Sequence, residues 1–208
     1  MKVLLINGSP NKNGCTYTAL SEVAKELEKE NIETEILHVG KDPIRGCTAC
    51  GHCSRTDSGK CIFNNDTVNI ALAKAIEVDG FIFGSPVHYA SASGTITSFL
   101  DRLFYAGKDF AYKPGAAVVS CRRAGSTAAL DQLNKYFTIA NMPVVSSQYW
   151  NMVHGNTPDE VNQDLEGMQI MRTLGKNMSW LLKSIEAGKK AGINLPEKEE
   201  RVGTNFIR

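Results

Sequence analysis

The sequence has no long hydrophobic run. Its first apolar stretch, Val3-Leu4-Leu5-Ile6, follows a single Lys2, and is far shorter than the roughly 20 residues of a membrane span or the core of a secretion signal. Nor does charge of one sign dominate. The 208 residues carry 23 basic and 22 acidic side chains, a formal net charge of +1, so no long-range field favours nucleic acid or an acidic membrane surface. There is no internal repeat and no linker composition that would divide the chain. At 42% hydrophobic and 22% charged residues the composition is that of an ordinary globular protein, large enough for one well-filled α/β domain. The expectation is a cytoplasmic protein without a membrane or nucleic-acid partner.

What the chain does have is cysteine. Four of its six cysteines fall between Cys47 and Cys61. In a reducing compartment such crowding points to metal ligation or redox chemistry before structural disulfides.

Strand and helix patterns alternate almost from end to end. Residues 2–6 read as a buried strand closed by Asn7-Gly8, and 16–30 as a helix with Leu20, Val23, Ala24 and Leu27 on one face. Strands are expected at 33–39, 80–84, 116–120 and 144–147, and helices near 67–77, 95–105 and 128–140. A last helix starts at Thr157-Pro158-Asp159-Glu160, with a capping Thr and Pro at its first position, and runs to about Ile185. From Gly188 the chain turns polar, through Pro196 and the charged run 197–201. It reads as an extension to a domain of residues 1–187, suited to lie as an arm on a neighbouring subunit. Alternation at this spacing implies parallel βαβ units in a doubly wound sheet. Ligands of such sheets bind beyond the carboxyl ends of the strands, which directs attention to the loops after the first, third and fourth strands.

The first of these loops runs Gly8-Ser9-Pro10-Asn11-Lys12-Asn13-Gly14-Cys15-Thr16 into a helix. Small residues, hydroxyls and a lysine at a helix N-terminus suit an anion. A nucleotide-binding P-loop would need lysine in place of Cys15, between Gly14 and Thr16, and a dinucleotide fingerprint would need a third glycine beside Gly8 and Gly14. A monophosphate site remains, built from Ser9, Asn11, Lys12, Gly14, Cys15, Thr16 and main-chain donors. Turn chemistry and helix capping explain the same residues one by one; their place after the first strand favours the phosphate.

Gly8-Ser9-Pro10 with Gly14-Cys15-Thr16, then Gly84-Ser85-Pro86-Val87-His88-Tyr89 followed by Ser93-Gly94 and Phe99-Leu100-Asp101-Arg102, resemble the two signatures of the NADPH-dependent FMN reductase superfamily. The motifs are in order and at family spacing, and the resemblance covers roughly residues 1–185. It implies a flavodoxin-like sandwich, a five-stranded parallel sheet of order 2-1-3-4-5 with helices on both faces. It also implies FMN as cofactor, NAD(P)H as co-substrate, a small-molecule electron acceptor and a homodimer or homotetramer. By the same resemblance, the flavin ring lies against the loop from Ser85 through Pro86, Val87, His88 and Tyr89 to Ser91. The segment Cys121, Arg122, Arg123 and Gly125 completes its surroundings. His88 stands where the family often has an aromatic, the two arginines stand in a loop that is commonly glycine-rich, and Cys15 replaces a small polar residue. The Asp101-Arg102 pair reads as structural, a surface ion pair or a subunit contact. No general acid or base is demanded.

Cys47, Cys50, Cys53 and Cys61 form C-x2-C-x2-C-x7-C. Such spacing resembles the compact motif of the iron–sulfur flavoproteins, which lies after the second strand in the same superfamily. It implies a [4Fe–4S] cluster and brings in ferredoxin as an electron donor. The same four thiols can bind zinc or remain free or disulfide-forming, which would suit a non-catalytic redox or metal sensor.

Overall fold

A computed structural model describes residues 1–200, 202–204 and 206 of the chain. Its sheet is assembled from β1 (Lys2–Asn7), β2 (Glu33–His38), β3 (Gly80–His88), β5 (Gly115–Cys121) and β6 (Met152–His154), in the order β2-β1-β3-β5-β6 and parallel throughout. A two-residue strand, β4 (Ser91–Ala92), folds back antiparallel on the tip of β3. This is the flavodoxin-like order that the sequence implied.

Because side chains alternate along a strand, each strand feeds two cores. Leu4, Ile6, Phe81, Phe83, Ala117 and Val119 face one layer, formed by α3 (Val68–Ala75), α4 (Gly94–Ala106) and α5 (Ser126–Ile139). Val3, Leu5, Ile82, Ala116 and Val118 face the other, where α1 (Cys15–Lys29) packs with α7 (Leu165–Lys190). The α1–α7 contact is close: a Cβ on Gly175 would fall 2.9 Å from the Val23 carbonyl oxygen. Buried apolar side chains on both faces, each contributing about 1.5–3 kcal/mol when fully buried, make the sheet a rigid platform for the loops at its carboxyl edge.

Three local readings are corrected. The expected strand at 144–147 is only a bridge between Val144 and Gly115. After Val145 the chain turns out, with Ser147 Oγ donating to the Tyr149 carbonyl (2.7 Å) and Asn151 Nδ2 to that of Val145 (3.4 Å), and regains the sheet at β6. The β-branched pair Val144-Val145 carried the strand signal; the polar residues after it favour a turn. The final helix is two helices, α6 (Pro158–Gln163) and α7, because Asp164 leaves helical geometry and accepts the Gly167 amide at 2.9 Å as a new cap. Inside the cysteine loop lies a short helix, α2 (His52–Thr56), that no periodicity announces.

α7 takes in the first three residues of the polar tail, Gly188 to Lys190; the described residues after it form no helix or strand, and Arg201, Asn205, Ile207 and Arg208 lie outside them. Among the described residues no helix is long and apolar enough to cross a membrane.

Candidate functional site

The first loop is locked to the third. The Gly8 amide donates to the Gly84 carbonyl (2.9 Å), and Ser93 Oγ donates to the Gly8 carbonyl (3.0 Å). A Cβ on Gly8 would sit 2.6 Å from Ile96 Cβ, so only glycine allows this approach. Ser9 is buried. Its amide donates to Asn7 Oδ1, its Oγ accepts the Asn11 amide, and its carbonyl accepts from His38 Nε2 at 2.8 Å. Its hydroxyl proton stays available to a ligand. Thr16 is buried and shares its hydroxyl with Ser120 across 2.8 Å. Asn11 and Lys12 are exposed beside it.

The helix that follows opens without a cap. Gly14 is extended and supplies no side chain, and the amides of Cys15, Thr16 and Tyr17 make no backbone–backbone hydrogen bond among the described residues. Elsewhere Ser93, Thr157 and Asp164 cap α4, α6 and α7 with their own oxygens. The first turn of α1 thus presents unpartnered donors and the positive end of a dipole, the arrangement that binds a phosphate. Cys15 Sγ donates to the Gly155 carbonyl at 3.7 Å, and burial pushes its thiol pKa up, so it remains a neutral lining group.

β3 runs past its expected end to His88. Ser85 is buried, donating from Oγ to the Pro86 carbonyl and accepting the Ser93 amide. Pro86 and Val87 are half-buried, and His88 and Tyr89 point to solvent. Tyr89 has φ +60°, and the Ala90 amide donates back to the His88 carbonyl at 2.8 Å, closing a tight three-residue turn. Ser91 Oγ donates to Gln132 Oε1. After β5, Cys121 is buried and its thiol pKa is likewise raised by burial, while Arg122 and Arg123 are exposed. Gly125, at φ +83°, leads into α5, again without a side-chain cap; a Cβ there would collide with Val87 Cγ1 at 2.8 Å. All sixteen residues expected around a mononucleotide therefore stand at the carboxyl end of the sheet, with two open helix N-termini. Their side chains divide: Ser85 and Ser91 bond within the protein, and His88 and Tyr89 are exposed.

The cysteine loop lies along α4. Cys47 and Cys50 are exposed, Cys53 and Cys61 half-buried, and all four thiols are free. They line one cavity of about 250 Å³ together with Phe63, Arg102 and Tyr105. Among the described residues no three Cys, His, Asp or Glu side chains are gathered around one point. A cavity lined by four cysteines carries the donor set of a [4Fe–4S] cluster and equally that of zinc.

The Asp101-Arg102 pair does not pair. Asp101 accepts the Tyr136 hydroxyl at 2.6 Å, whereas Arg102, 1% exposed, turns inward to Asp66. Arg102 was the residue whose role the sequence concealed. Its signal is its position: on α4 it shares a buried face with Phe99 and Ala106, where an arginine must have partners.

Comparison with known proteins gives a family and a fold. The model of the family described as NADPH-dependent FMN reductase matches residues 1–157. An iron-sulfur flavoprotein of Methanocaldococcus jannaschii is 31% identical over 195 residues, covering 89% of this chain and 100% of the relative. An FMN-dependent NADPH-azoreductase of Staphylococcus saprophyticus is 36% identical over 115 residues, covering 55% of this chain and 57% of the relative. Among solved structures, RosB with a bound riboflavin-phosphate intermediate superposes with a TM-score of 0.67 at 15% identity, covering 99% of this chain and 92% of that one. An archaeal flavodoxin superposes with a TM-score of 0.58 at 15% identity, covering 88% and 99%. Likeness at these identities is likeness of fold.

Proposed function

The chain belongs to the NADPH-dependent FMN reductase family, and on that premise we propose that it takes electrons from NAD(P)H through one FMN and passes them to a flavin, quinone or other small organic acceptor. The observation that carries this reading is the open first turn of α1, whose Cys15, Thr16 and Tyr17 amides lack backbone partners beside the exposed Lys12. Residues of this kind fit the 5′-phosphate of FMN: the amides donate, Lys12 neutralises, and the Ser9 hydroxyl adds a donor. Bound FMN would supply the redox chemistry, exchanging electrons with a nicotinamide and with the acceptor. The protein's part is to bind, orient and shield. The main chain of Ser85–Ser91 and Cys121–Gly125 would flank the ring, with the buried Ser85–Ser93 and Thr16–Ser120 contacts keeping those segments in place. Arg122 and Arg123 would draw a phosphorylated nicotinamide. The family's oligomers make a homodimer or homotetramer the assembly we propose.

The cysteine cavity favours a second source of electrons. Cys47, Cys50, Cys53 and Cys61 would hold a [4Fe–4S] cluster, and reduced ferredoxin would deliver electrons there. The likeness to an iron-sulfur flavoprotein over 89% of the chain supports this reading.

One experiment tests both. The protein is purified anaerobically, its iron, sulfide and FMN are assayed, and NADH, NADPH and reduced ferredoxin are offered in turn with a quinone acceptor. Turnover with a nicotinamide supports the first reading. Turnover with ferredoxin alone, on protein carrying about four irons per chain, supports the second. Protein that binds no FMN contradicts both.

A further inference from the structure

We infer that Arg102 is the positioning residue of the iron–sulfur centre, fixing the sulfur of Cys61 and raising the reduction potential of the cluster it ligates. The inference rests on the cluster reading above. An arginine has five N–H donors, and Arg102 uses its guanidinium in every direction. Nη1 donates to the Arg45 carbonyl (3.1 Å) and to Asp66 Oδ2, Nη2 to the Phe63 carbonyl (2.9 Å) and Asp66 Oδ1 (3.2 Å), and Nε to Cys61 Sγ at 3.2 Å. Arg45 and Phe63 bracket the four cysteines, so one buried side chain ties both ends of the loop to α4. Two guanidinium groups lie over the Phe63 ring, Arg45 at 4.8 Å and Arg102 at 5.5 Å from its centre.

Cys61 is held at three points. Besides the Arg102 contact, its amide donates to Asn69 Oδ1 and its carbonyl accepts from Asn69 Nδ2, both at 2.9 Å. Cys47 and Cys50 are exposed. The fourth cysteine is therefore preset before any cluster arrives, and the other three can close onto it.

A guanidinium N–H on a ligand sulfur withdraws electron density from it. The reduced cluster carries one more negative charge than the oxidised one, so the contact favours the reduced form and raises the potential. Burial strengthens the effect, because little water competes for the field. A purely structural staple would need only the Asp66 and carbonyl contacts; the Nε bond to sulfur is what a tuning role adds.

The test uses full-length protein reconstituted anaerobically with iron and sulfide, with iron, FMN and the cluster midpoint potential read for each form. The main variant is Arg102→Gln with Asp66→Asn, which avoids stranding a buried carboxylate. Arg102→Lys keeps the charge and loses the fork, and Asn69→Ala loosens the Cys61 backbone while leaving the sulfur contact. The double variant is expected to keep FMN and iron and to shift the reduction equilibrium about tenfold toward the oxidised cluster, ~59 mV more negative for one electron. Arg102→Lys is expected between it and the wild type, and Asn69→Ala at the wild-type potential. Loss of iron with FMN retained in both Arg102 variants would overturn the tuning role and leave Arg102 a structural staple of the loop. A wild-type potential in iron-loaded Arg102 variants would overturn the inference. Wild-type protein that takes up FMN but no iron would overturn the cluster reading itself, and with it this role, before any variant is examined.

Discussion

The hydroxyls of Thr16 and Ser120 lie 2.8 Å apart, both buried, and join the first turn of α1 to the carboxyl end of β5. The loop proposed to hold the phosphate and the loop expected beside the flavin ring are thereby one mechanical unit. Ser120→Ala leaves the Thr16 hydroxyl without its partner, and a buried hydroxyl so stranded costs about 1–3 kcal/mol. Urea unfolding of the flavin-free variant should show that loss, accompanied by weaker FMN binding. An unchanged midpoint would mean that the contact does not hold the loops together.

Glycine matters where the first and third loops pass the helices. A Cβ on Gly8 would lie 2.6 Å from Ile96 Cβ, and one on Gly84 2.8 Å from Thr16 Cγ2 and from Leu20 Cδ1. Overpacking of this kind costs about 1–3 kcal/mol, so Gly8→Ala and Gly84→Ala should each lower stability by that amount and loosen FMN. Gly94 has nothing within 4 Å of its Cβ position. Gly94→Ala should leave the urea midpoint unchanged or slightly raised, since alanine suits a helix better.

Lys12 is exposed beside the open turn of α1. Lys12→Ala is expected to weaken FMN about tenfold, roughly 1.4 kcal/mol, while riboflavin, which has no phosphate, binds as before. Equal losses for the two flavins, read by fluorescence titration, would move Lys12 from the phosphate to the ring.

Glu22 gives a pH signature to the α1–α7 contact. Burial pushes its carboxyl pKa up, but hydrogen bonds from Arg172 (2.9 Å) and Lys25 outweigh burial and set it below 4.5. A depressed folded value means stability that is present above the unfolded carboxyl pKa of about 4.3 and disappears as pH falls through the lower folded value. Glu22→Gln should flatten the acid limb of the stability profile below about pH 4.3. A variant that keeps the wild-type acid limb would assign that limb to other carboxyls.

Much of this architecture was legible because its signals are local and repeated. The apolar residues of the runs at 2–6 and 80–84, Val3–Ile6 and Phe81–Phe83, and helix faces such as Leu20, Val23 and Leu27, follow simple periods, and all became core. The anion-binding reading of the first loop came from glycine, serine and lysine after the first strand, and the structure adds an uncapped helix N-terminus there. The break at Asp164 was not, since a capping aspartate inside one continuous apolar stripe leaves the period undisturbed. Nor was the strand at Met152–His154, whose three residues pair only after the chain has turned out at Ser147. Arg102 escaped for a different reason. Its partners Arg45, Cys61, Phe63 and Asp66 lie 36 to 57 residues away, and a sequence does not show which distant carbonyls a buried guanidinium will find.

The most direct test of the account is a titration of flavin-free protein with FMN and riboflavin in parallel, followed by the quenching of flavin fluorescence. The account predicts one FMN per chain, bound at least a hundredfold more tightly than riboflavin, about 2.7 kcal/mol contributed by the phosphate cradle. Equal affinity for the two flavins, or no binding of either, would contradict it.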